Sequence, residues 1–103
     1  MRRLLSETDV RVTAPAEPIA LGRAWRLHPN VALREESFGA LAYHYDTRRL
    51  VFLKSRALVE LVASLEQFES ADAALVALIP EAERPQYARA MARLAASEVI
   101  DVA

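Results

Sequence analysis

The chain contains no cysteine. Disulfides, thiolate metal centres and a cysteine nucleophile are therefore excluded together. Glycine is confined to Gly22 and Gly39, so no glycine-rich loop exists that could cradle a phosphate. No apolar run approaches the ~20 residues that a bilayer crossing requires. Neither charge sign dominates: 13 Lys and Arg face 14 Asp and Glu, a net charge of −1, which gives no field to recruit a polyanion. A membrane span is thus excluded and nucleic acid disfavoured. With 103 residues the chain supplies a single core, which leaves no room for separate cofactor and substrate modules. Met1-Arg2-Arg3-Leu4-Leu5 begins like a signal peptide, but Ser6-Glu7-Thr8-Asp9 interrupts it at once; cytoplasmic residence is expected.

What is present is apolar and alanine-rich, as closely packed helices require. Residues 1–24 stand apart: Pro15 and Pro18 remove backbone donors and disfavour helix before them, so an extended or disordered tail is expected there. Within it, Val10-Arg11-Val12-Thr13 alternates like a short strand, one that could pair with an open sheet edge. The domain proper is expected over 25–103. Val31 and Leu33 alternate with Ala32 and Arg34, and Leu41, Tyr43 and Tyr45 alternate with Ala42 and His44, which predicts strands with the aliphatic and aromatic row on one face. Asp46-Thr47-Arg48-Arg49 reads as a turn. Leu50-Val51-Phe52-Leu53 then runs without alternation, which suggests a strand covered on both faces.

The period next becomes helical. Ser55 is placed to cap a helix whose stripe is Leu58, Leu61, Val62 and Leu65. Ser70 caps a second, short helix with Leu75, Leu78 and Ile79 on its buried side, and Pro80 stops it. Pro85 sits at a favoured first-turn position before Tyr87, Met91, Leu94 and Ala95, the stripe of a third helix. Three strands followed by three helices predict an α+β fold: a small winged-helix domain with a three-stranded antiparallel sheet.

Little in this pattern suggests catalysis. Neither His28 nor His44 has a carboxylate or second histidine at a helical ligand spacing. Three other features stand out. The run Leu50 to Leu53 is either a strand buried between helices or an apolar edge kept open for a partner strand. Arg89 and Arg93, four apart on the third helix, repel one another unless an acidic partner faces them. Ala88, Ala90, Ala92 and Ala96 supply either plain helix propensity or a surface that another backbone can approach closely.

Several motifs are specific enough to carry a resemblance. Trp25-Arg26-Leu27-His28-Pro29, Val31 to Glu35, Phe38-Gly39-Ala40-Leu41 with Tyr43, and Thr47-Arg48-Arg49-Leu50 leading into Phe52-Leu53-Lys54-Ser55 resemble the mycofactocin biosynthesis peptide chaperone family. That family lies within the PqqD-like RiPP recognition elements. The resemblance spans Trp25 to Ile100, with one departure: related domains often have glycine after the third helix, where this chain has Ser97-Glu98.

The resemblance implies a module without activity or cofactor of its own. It would bind the leader of a ribosomally made precursor peptide as a strand added to the third strand, clamp it against the third helix, and present it to a radical S-adenosylmethionine maturase. The implied peptide-binding residues are Arg49, Leu50, Val51, Phe52, Leu53, Lys54, Arg84, Tyr87, Ala88, Met91 and Arg93. Arg49, Lys54, Arg84, Arg89 and Arg93 would form a basic rim around a groove floored by Tyr87, Met91 and Phe52. The competing reading is a winged-helix DNA-binding regulator with Arg48-Arg49 on its wing. A homodimer is compatible with either.

Overall fold

The computed structural model describes residues 17–103. In chain order they form β1 (Trp25–Leu27), β2 (Val31–Glu36), β3 (Gly39–His44), β4 (Leu50–Leu53), α1 (Arg56–Ser64), α2 (Ala71–Leu78), α3 (Arg84–Ala96) and β5 (Ile100–Val102). Short 3₁₀ turns follow α1 and precede α3. Strands β2, β3 and β4 make an antiparallel sheet in that order, and three helices follow it, which is the α+β arrangement expected. The pairing of β1 with β5 is an addition. No helix among the described residues is long and apolar enough to cross a membrane. The proposed strand around Val10 and Val12 lies outside the described residues.

The helix boundaries follow from local chemistry. Ser55 Oγ accepts the Leu58 N–H and Ser70 Oγ accepts the Ala73 N–H, each at 3.0 Å, so both predicted caps satisfy an orphan donor of a first turn. The Ala71 and Asp72 amides of α2 donate instead to the carbonyls of Arg23 and Leu21, at 2.9 Å each. This draws the entering chain onto the domain: Ile19 and Leu21, which the tail reading places outside it, pack against the core. The Trp25 indole donates to the Ala20 carbonyl at 2.9 Å.

One face assignment is reversed. Ala40, Ala42 and His44 are the buried side of β3, whereas Leu41 and Tyr43 are only half-buried and Tyr45 is exposed. The reason lies in α1, which packs on β3. Its Leu61 and Val62, with Leu65 just beyond, are fully buried. Such large side chains fill the space from the helix side, so the strand beneath must offer small ones. The aromatic row is thereby left on the outer face.

The turn after α3 keeps the geometry that glycine would favour. Glu98 has φ 64°, and the amides of Ser97, Glu98 and Val99 return to the carbonyls of Arg93, Ala95 and Leu94. Left-handed backbone costs a residue with a Cβ about 1 kcal/mol. Glu98→Gly should therefore raise stability by roughly 0.5–1 kcal/mol, visible as a melting point about 2–8 °C higher. An unchanged or lower melting point would contradict it.

Candidate functional site

Strand β4 is the last strand of its sheet, and the register determines what its free edge presents. Opposite residues in an antiparallel pair alternate between bonded and non-bonded. His44 donates to the Arg49 carbonyl at 2.9 Å, so that pair is bonded. Val51 opposite Ala42 and Leu53 opposite Ala40 then bond inward as well. The N–H and C=O of Leu50 and Phe52 are left pointing away from β3, where no described strand meets them. Val51 and Leu53 are buried; Leu50 and Phe52 lie half-buried on the outer face. Phe52 rests against Phe38, with ring centroids 5.8 Å apart, and Tyr43 against Tyr45 at 5.4 Å.

The two edges of this sheet differ. Edge strand β2 carries Arg34, Glu35 and Glu36, with Arg34 Nε 2.8 Å from Glu36. Charges of this kind blunt an edge against strand pairing. Strand β4 carries none between the exposed Arg49 and Lys54 that flank it.

The eleven residues implied by the resemblance do not all share one surface. Arg49 to Lys54 are contiguous on and beside β4, and Tyr87 meets them where its hydroxyl lies 3.3 Å from Ser55 Oγ. Met91, however, is fully buried and offers no groove floor. Arg84 is spent on α2: its Nε donates to the Ile79 carbonyl at 2.8 Å and one terminal nitrogen to Val76 at 3.3 Å. That guanidinium caps the carbonyl end of the neighbouring helix, where positive charge is favoured. Ala88 and Arg93 face a different place. With Arg89 and Ala92 they line a cavity of about 130 Å³ whose other wall is Pro18, Ile19 and Leu21. The expected rim and floor are thus two separate features, a strand edge and a helix-side cavity.

A cluster not visible in the sequence gathers His28, His44 and Asp46. The imidazole rings lie 4.5 Å apart. His44 Nδ1 accepts the backbone N–H of Asp46 at 3.1 Å and more weakly that of Thr47 at 3.4 Å, while His28 Nδ1 accepts that of Asn30 at 3.0 Å. Asn30 in turn donates to Asp46 at 2.8 Å. A metal ion would compete with these amides for Nδ1. Coordination through Nε2 would move the ring proton to Nδ1, against the same N–H groups. The donor set therefore suits a turn lock that fixes the β3–β4 loop, not an ion. His44→Phe should lower stability by about 1–3 kcal/mol, because the Asp46 and Thr47 amides lose a part-buried acceptor. A urea midpoint equal to that of the parent would refute this role.

Comparison with known proteins agrees with the motifs. Residues 24–101 match the model of the peptide chaperone MftB family. The chain is 44% identical over 78 residues to the peptide chaperone MftB of Mycolicibacterium smegmatis, covering 75% of this chain and 76% of that one. It is 40% identical over 79 residues to the protein of the same name from Mycobacterium tuberculosis, covering 76% and 72%. With the Mycobacterium ulcerans protein the identity is 39% and the coverage 97% and 94%. No solved structure gives a significant match.

Proposed function

The chain belongs to the peptide chaperone MftB family, and from that premise we propose that it is a non-catalytic chaperone of mycofactocin biosynthesis. It binds the leader of a ribosomally made precursor peptide and presents it to a radical S-adenosylmethionine maturase. The observation that carries the reading is the bare edge of β4. Leu50 and Phe52 each offer one outward donor and one outward acceptor, the pattern that an added strand completes.

Magnitudes indicate what else must contribute. At a net ~1 kcal/mol each, the hydrogen bonds available to two residues supply about 4 kcal/mol, which is only millimolar binding. Micromolar affinity needs roughly twice that. The rest must come from side chains, and the outer face supplies them: Leu41, Tyr43, Leu50 and Phe52 are half-buried, and Phe38 remains 44% exposed. Side chains alternating along an incoming strand would cover this row. Arg49 and Lys54 at its ends favour an acidic peptide.

The test is titration of isotope-labelled chain with the precursor peptide encoded beside its gene. The amides of Leu50 and Phe52 should shift most and become protected from hydrogen exchange, with Tyr87 following. Shifts confined to β2, or binding of random duplex DNA with a steep salt dependence, would overturn the reading in favour of another partner.

A further inference from the structure

The cavity beside α3 is not explained by strand addition. None of its lining residues belongs to β4, and its outer wall of Pro18, Ile19 and Leu21 lies upstream of the matched segment 24–101. Pro18, Ile19, Leu21, Ala88 and Ala92 make the cavity aliphatic, while Arg89 and Arg93 stand at its border. Neither arginine has an ion-pair partner among the described residues, and Arg93 Nε is buried without a hydrogen-bond partner. Two like charges at i, i+4 and a desolvated guanidinium N–H are each unfavourable alone. An anion bound between them would relieve both, and the aliphatic walls would accept the carbon chain attached to it.

We propose that this cavity is a second anchor point for the peptide partner, taking an aliphatic side chain with a carboxylate close beside it, as in an acidic and aliphatic stretch of peptide. This rests on the reading above that the partner is a peptide. The volume of about 130 Å³ suits a single Leu, Ile or Val side chain, and a guanidinium pairs with a carboxylate through fixed, parallel N–H groups. The two sites are connected through the first turn of α3: Tyr87 touches Ser55 just past β4, and Ala88, the next residue, already lines the cavity.

The anchor can be tested without the precursor. N-acetylleucine, which carries an isobutyl group next to a carboxylate, is titrated into the labelled full chain in parallel with N-acetylleucinamide. The acid should shift the amides of Ile19, Leu21, Ala88 and Ala92, with affinity in the millimolar range, and the uncharged amide should bind at least fivefold more weakly. Arg93→Glu and the more exposed Arg89→Glu should each reproduce that loss. Equal binding of acid and amide, or no shift at these positions, overturns the anchor. Neither result bears on strand addition, because so small a ligand cannot pair with β4. With the precursor itself, Arg93→Glu should weaken binding about tenfold while the shifts of Leu50 and Phe52 persist. Wild-type affinity in that variant would remove the cavity from peptide recognition.

Discussion

Proline at position 52 should abolish precursor binding in a protein that still folds, whereas proline at position 51 should unfold the sheet. The two substitutions are neighbours in sequence and opposites in structure. The Phe52 N–H points away from β3, so removing it leaves the internal ladder intact and deletes a donor only an added strand would use. The Val51 N–H points into the ladder toward Ala42, and Val51 is 3% exposed. Proline there breaks a buried bond and forces the chain apart, at about 3 kcal/mol or more. Phe52→Pro also loses the ring that packs on Phe38, so Phe52→Ala serves as its control. Alanine should weaken binding in proportion to lost contact; proline should take it at least tenfold further, beyond a net ~1.4 kcal/mol. Circular dichroism and calorimetric titration read the two effects. A folded Phe52→Pro variant with the affinity of Phe52→Ala would exclude strand addition at β4.

From the sequence alone either Val51 or Phe52 could present its N–H outward, because alternation gives two faces and two edges without saying which is which. The same gap explains the reversed β3 face. Leu41, Tyr43 and Tyr45 are the larger and more apolar set, yet the choice between faces is made by Leu61 and Val62 on a helix some twenty residues later. Caps fared differently. Ser55, Ser70 and Pro85 act within three or four residues of themselves, so their roles were readable locally. The β1–β5 pair was not, since three residues per strand are too few to display a period. Nor was the lock at His28, His44 and Asp46, which forms when a loop and a strand end meet across the sheet. Met91 shows how a helical stripe can mislead about function: its spacing marks it as core, and a core residue cannot also be the floor of an open groove.

The edge proposed to bind the peptide is also the edge that must be held in place, and this gives Gly39 a role larger than its size. It opens β3 with φ 150°, and a Cβ built on it would run into the Leu53 carbonyl oxygen at the end of β4, close also to the Ser55 nitrogen that begins α1. Both neighbours are backbone and cannot swing aside. Gly39→Ala must therefore separate β3 from β4 or twist the strand end, and backbone strain with a lost ladder bond together cost about 3 kcal/mol or more. At roughly 4–8 °C per kcal/mol for a domain of this size, the melting point should fall by about 12–25 °C. Gly22→Ala is the internal control, because nothing lies within 4 Å of a Cβ there, and it should move the melting point by no more than a few degrees. Peptide affinity measured well below the lowered melting point should also drop, since the displaced Leu53 carries the β4 edge with it. If Gly39→Ala melts like Gly22→Ala, the close approach of β3 to β4 is not what positions the edge.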